Sequence, residues 1–191
     1  MNNQTNIEKL IMTGKTVFNA NDLAIIWQIS DRKKLNERIK YYLRSKRFIN
    51  IYKGLYSYGN YTVFNIAQKL VPMSYISLYT SAQKHGIIFQ YDPTVYCISL
   101  ISKKYIIDNQ KYEYHKVKDV IFYNNIGLIK ENNYLIANKE RTICDLLYIY
   151  PDFAFDNLKS VNIKLLRQIS MIYNNKRLQK TIDQVIKITK E

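Results

Sequence analysis

Between Asp31 and Gly59 the chain places nine cationic side chains, in a stretch that begins with the periodicity of a helix and ends with that of a hairpin. At about 100° per residue, Leu35, Ile39, Tyr42 and Leu43 fall on one arc of a helix, the side that faces a core. Lys33, Lys34, Glu37, Lys40, Tyr41 and Arg44 share the opposite arc, with Asn36 and Arg38 on its flanks. Cations gathered on one solvent-facing stripe, with an aromatic ring among them, suit the phosphates, sugars and base edges of double-stranded DNA. In a helix-turn-helix the first half of such a helix enters the major groove. Lys33, Lys34, Asn36 and Glu37 are then expected nearest the bases, and Lys40 and Arg44 nearer phosphate. Arg32 and Tyr41 complete the candidate helix surface, and Lys46, Arg47, Tyr52 and Lys53 extend it toward the hairpin. The alternative is a solvated lysine face with no polymer to hold.

The charge balance bears on that choice. The 191-residue chain carries 29 Lys and Arg against 15 Asp and Glu, a formal net charge of +14, which points to a polyanionic or acidic partner. Lys outnumbers Arg 22 to 7, and Ile (28) and Asn (19) are abundant, as an A+T-rich coding sequence tends to produce, so the total is weak evidence. Distribution says more: residues 1–60 and residues 61–191 each carry a net +7, so the first third is about twice as charge-dense.

Other chemistry finds no constellation. His85 and His115 lie in different segments without cysteine or carboxylate at metal-ligand spacing, and the five glycines form no phosphate loop. Asp108, Asp119 and Asp145 are isolated and read as caps, turn residues or one salt bridge. Cys97 and Cys144 sit in apolar runs and read as buried free thiols of a reducing compartment. No catalytic residue, metal or cofactor is expected. The polar N-terminus and the lack of any apolar run near ~18–20 residues predict a cytoplasmic protein with no membrane partner.

The elements that must position the basic stripe follow from local signals. Thr5 or Asn6 caps a short helix ended by Gly14, "TVF" is extended, and Asn19 or Asn21 caps a second helix with Leu23, Ile26 and Trp27 at core spacing. Ser30 is the expected cap of the basic helix, with Asp31 in its first turn and an end near Arg47. "FINIYKG" and "LYSYG" then make two strands about Gly54. Helix, short strand, helix, turn, helix, hairpin is the order of a winged helix-turn-helix; a small α+β domain with a merely structural hairpin is the alternative. A further helix follows from Asn60 to Val71, and another closes at Gly86. Six short strands are expected next: "TVYCISLI", "KYIIDNQ", "YEYHKV", "DVIFY", "GLIK" and "NYLIA". A helix through Ile143, Leu146 and Leu147, ended by Pro151, precedes a helical pair joined at Asn174–Asn175. The fold class expected is α+β: a winged helix-turn-helix at residues 1–60, then a mixed α/β domain at 61–191 with short strands and a C-terminal helical pair.

Three segments resemble the AbiEi family of antitoxins. "VPMSYISLYTSAQKHGI" resembles the stretch after that family's winged helix, through Tyr75, Ile76, Ser77, Leu78, His85 and Gly86. "IANKERTICDLLYIYP" resembles a later segment, through Ala137, Glu140, Arg141, Asp145, Leu146 and Leu147, and Gly54 with Tyr56 fits the family's wing. Tyr79 and Lys139 depart from the family pattern. The resemblance implies an antitoxin of a type IV toxin–antitoxin system, whose winged helix binds operator repeats of its own promoter as an autorepressor. It also implies that the second domain counters a nucleotidyltransferase toxin, directly or indirectly. Tyr75, Ser77, His85, Gly86, Glu140, Arg141 and Asp145 would be partner-facing or structural. A winged-helix regulator or a protein-interaction adaptor unrelated to any toxin is the alternative.

Overall fold

The computed structural model describes residues 5–188. The chain divides at Pro72–Met73 into two compact units.

The first unit opens with α1 (Asn6–Met12), β1 (Val17–Asn19) and α2 (Ala20–Trp27). Thr5 and Glu8 close a capping box on α1, and Asn19 and Asp22 close another on α2, so each helix starts where a side-chain oxygen satisfies its free N–H groups. Gln28 ends α2 in the left-handed region, and four residues later α3 (Arg32–Arg44) begins. Its cap is Asp31, not Ser30: Asp31 Oδ1 accepts from the backbone N–H of Lys33 at 2.8 Å and Lys34 at 3.0 Å. The helix also stops short of the expected Arg47. Lys46 turns to φ +56°, and the Lys46 and Arg47 N–H groups fold back onto the carbonyls of Leu43 and Tyr42, a Schellman closure.

β2 (Ile49–Tyr52) and β3 (Leu55–Ser57) follow as a hairpin turned at Lys53–Gly54, with Gly54 at φ +71°. The sheet is antiparallel in the order β1-β3-β2, with Val17 and Ile49 flanking Ser57 and a bulge at Ile51. Its core gathers Leu10, Phe18, Leu23, Leu35 and Ile39 around a ring cluster of Trp27, Tyr42 and Phe48. α4 (Val63–Leu70) packs on β1, and Lys69 Nζ meets Asp22 Oδ2 at 2.7 Å. That packing carries the unit to Pro72, past the boundary expected near Asn60.

The second unit is a six-stranded mixed sheet with helices. Its strands are β4 (Tyr75–Ile76), β5 (Val95–Ser99), β6 (Lys103–Ile107), β7 (Gln110–Lys116), β8 (Leu128–Glu131) and β9 (Tyr134–Ala137), in the order β6-β7-β5-β4-β9-β8. β5 runs parallel to β7 and β4 parallel to β9; the other neighbours are antiparallel. The helices are α5 (Leu78–Lys84), α6 (Asp119–Phe122), α7 (Lys139–Ile149), α8 (Ile163–Ile172) and α9 (Lys176–Ile188), the last two joined at Asn174–Asn175 as the sequence predicts. "DVIFY", expected as a strand, is α6. Asp108 sits in the β6–β7 turn at φ +47°. Among the described residues no helix is long and apolar enough to cross a membrane. Cys97 and Cys144 are buried free thiols, and burial pushes both thiol pKa values up.

Candidate nucleic-acid interface

The two faces of α3 separate as the periodicity predicts. Leu35, Ile39 and Tyr42 are buried, whereas Arg32, Lys33, Lys34, Asn36, Glu37, Lys40, Tyr41 and Arg44 are all exposed. Leu43, expected in the core, is half-buried at its edge. The buried stripe is pinned by packing against Trp27 and Phe48, and that fixes the azimuth of every cation on the other side. Lys46, Arg47 and Lys53 are exposed as well, the last at the tip of the hairpin, and Tyr52 is half-buried beside it.

Two groupings emerge within this surface. Lys34, Glu37, Tyr41 and Arg47 line one open groove of about 1180 Å³, whose other wall is the start of α1 from Thr5 to Glu8. Arg38 and Tyr58 line it too. Arg38 sits one helical turn beyond Lys34, a spacing visible in the sequence; nothing local announced Tyr58 or α1 as neighbours. Lys33, Lys40 and Arg44 lie outside the groove lining, on the open side of the helix.

The surface is predominantly cationic, with Glu37 the one carboxylate on the α3 stripe. Among the described residues, none of the nine cations between Asp31 and Gly59 comes within 4.0 Å of a carboxylate; the ion pairs found involve Lys69, Lys84, Lys104, His115, Arg141 and Arg167. Here Asp31 is engaged with backbone, so it caps the helix rather than neutralising the stripe.

The residues that carry the family-like pattern in the second unit have a different setting. Tyr75, Ser77, Arg141 and Asp145 meet in one buried knot. Asp145 Oδ1 accepts from the hydroxyls of Tyr75 at 3.1 Å and Tyr173 at 2.5 Å, and its Oδ2 accepts from Ser77 at 2.6 Å. Arg141, fully buried, donates from Nη2 to the Tyr75 hydroxyl (2.9 Å) and the Ile121 carbonyl (2.7 Å). Its Nη1 donates to the carbonyls of Asn124 and Ile126, each at 3.1 Å. Its Nε lies 3.5 Å from Asp145 Oδ1, an ion contact without hydrogen-bond geometry. The guanidinium also stands over the Tyr75 and Tyr173 rings. Burial pulls the Arg141 pKa down, but Asp145 and the two tyrosines outweigh it and the net shift is upward. Burial, with Asp145 adding to it, holds both tyrosine hydroxyls protonated.

The other pattern residues brace this knot. His85 Nε2 contacts the Ala137 carbonyl at 2.8 Å, seating α5 on β9. Gly86, at φ +64°, closes α5 in a Schellman motif through Ile87 N–H to the Ala82 carbonyl. Glu140 accepts from the Asn162 N–H at 2.8 Å and so holds the residue that caps α8. The sequence offered Arg141 and Asp145 at i,i+4 spacing, but their complete burial, and Tyr173 as a third party, were not visible in it. Among the described residues no three His, Cys, Asp or Glu side chains gather to hold a metal ion.

No family model matches the chain, and none of the curated proteins compared with it is a match. The geometry of the basic surface therefore carries the functional argument, with the segment resemblance beside it.

Proposed function

We propose that the unit ending at Pro72 is a winged helix-turn-helix that binds double-stranded DNA. The whole chain is then a non-enzymatic antitoxin of the AbiEi kind: an autorepressor at operator repeats of its own promoter that also counteracts a nucleotidyltransferase toxin. The observation that carries the DNA half is the unneutralised stripe on α3. Its cations are exposed, unpaired among the described residues, held opposite Leu35, Ile39 and Tyr42, and followed at once by a hairpin with Lys53 at its tip. The order α1-β1-α2-α3-β2-β3, with β1 pairing against β3, matches the order expected of a winged helix-turn-helix and supports this reading. The toxin half rests on the resemblance of the segments through Tyr75–Gly86 and Ala137–Leu147.

A mobility-shift titration with the DNA upstream of its own gene tests the first half. If about six phosphates are contacted, affinity falls on the order of 10³ between ~50 and ~200 mM salt. Replacing Lys33, Lys34, Lys40 and Arg44 together with Ala should abolish the shift; binding that ignores both salt and this variant refutes the reading. An operator preference of ~10⁴ over random DNA separates it from an adaptor for an acidic protein, which needs no sequence preference. Co-expression with the neighbouring toxin gene tests the second half: growth should recover, and continued arrest counts against the antitoxin role.

A further inference from the structure

We infer that Glu37 is a specificity-determining residue that selects a cytosine in the bound duplex by accepting from its N4 amino group; this rests on the DNA-binding reading above. Taking about 100° per residue, Lys40, Lys33, Arg44, Glu37, Tyr41 and Lys34 span roughly 120° of the α3 surface, with Glu37 at the middle of the arc. It is exposed, lies in the first half of the helix, and is the one carboxylate on that stripe. Lys33 and Lys34 precede it by one turn and Lys40 follows by one turn, positions from which helix pairs ordinarily form. Yet among the described residues Glu37 makes no ion pair within 4.0 Å and its carboxylate accepts no hydrogen bond.

A carboxylate in the centre of a phosphate-binding surface opposes non-specific binding to every duplex, because it brings negative charge to a polyanion. It becomes favourable only where a base edge offers a donor and no competing acceptor. In the major groove guanine presents two acceptors, thymine an acceptor and a methyl group, and adenine a donor beside the N7 acceptor. Cytosine alone presents its amino donor without an acceptor next to it. The carboxylate thus penalises three of the four bases and rewards one, while Lys40 and Arg44, nearer phosphate, hold the backbone without regard to sequence.

The experiment is binding-site selection from a randomised duplex pool with the full chain and with Glu37→Ala, Glu37→Gln and Lys40→Ala, each checked for native Trp27 emission. The wild type should select sites with a fixed cytosine at one position, and changing that base should weaken binding about 10-fold or more. Glu37→Ala should lose the preference at that position alone, and its affinity for random duplex should rise. Glu37→Gln should move the preference there toward adenine, which pairs with an amide. Lys40→Ala should weaken all sites alike. Unchanged selected sites in Glu37→Ala, or a uniform loss at every position, overturn the inference while leaving DNA binding intact. A wild type that enriches no duplex overturns the DNA-binding reading and the inference with it.

Discussion

Replacing Asp145 with Ala removes the acceptor at the centre of the buried knot in the second unit. Three hydroxyls, of Tyr75, Ser77 and Tyr173, lose their partner, and the fully buried Arg141 guanidinium keeps its charge with no counter-ion. Breaking a buried ion pair on one side costs about 3–5 kcal/mol, and each stranded buried donor about 1–3 kcal/mol before relaxation. The terms overlap, so about 4–6 kcal/mol is the expected total, a large part of the ~5–15 kcal/mol that holds a typical domain. For a unit of this size that is roughly a 15–25 °C fall in the midpoint of thermal unfolding.

The two units can be followed apart. Trp27, the only tryptophan, lies in the core of the first unit, so its emission reports that unit. Far-ultraviolet circular dichroism reports both. Asp145→Ala should shift the dichroism transition that does not coincide with the Trp27 transition. Asp145→Asn keeps an oxygen acceptor but not the charge and should cost less. The double variant Arg141→Met with Asp145→Leu should recover part of the loss, since removing both charges leaves no uncompensated ion. A loss under about 1 kcal/mol for Asp145→Ala, the size of a surface pair, would refute the claim that this knot fastens the second unit.

Gly127→Ala strikes the same knot from outside. Gly127 sits at φ +82°, and an added Cβ would stand 2.8 Å from Arg141 Cβ and 2.8 Å from Ile169 Cδ1, so a loss of about 2–4 kcal/mol in urea unfolding is expected. Asp31→Ala removes the cap of α3 and should cost about 1 kcal/mol, read from Trp27 emission because Tyr42 of α3 lies 5.4 Å from that ring. Burial lowers the His115 pKa below 6.5, against the raising effect of Glu113 at 3.9 Å and with a smaller lowering by Lys104. A depressed folded-state pKa means the unfolded chain binds the proton first. The contribution of His115 is therefore whole above pH 6.5 and is lost as pH falls through its folded value. His115→Phe should flatten that part of the stability–pH profile, and an unchanged profile refutes the assignment.

The first unit was largely legible in the sequence because its signals are local. Asn19 and Asp22 sit at the spacing of a capping box, the apolar residues of α3 recur every three or four positions, and Gly54 marks the hairpin turn. Even its errors were local: Ser30 and Asp31 are both capping residues, and the carboxylate prevailed by reaching two N–H groups.

In the second unit the decisive partners are remote. "DVIFY" is β-branched and aromatic, the composition of a strand, yet it folds as a helical turn. The Ile121 carbonyl at its end is taken by Arg141 from α7, which also takes the Asn124 and Ile126 carbonyls beyond it. No window around residue 121 contains that guanidinium. In the same way Asp145 reads in the sequence as an isolated carboxylate, a cap, turn residue or salt-bridge partner, and only Tyr75, Ser77 and Tyr173, 28 to 70 residues away, make it the buried centre of a knot with Arg141. Ionic residues at a core position carry no apolar periodicity to betray them. Their burial follows from the number of partners that converge, and that number is a property of the fold. The basic stripe on α3 is the converse case: its chemistry depends on partners that stay away, so periodicity alone could place it.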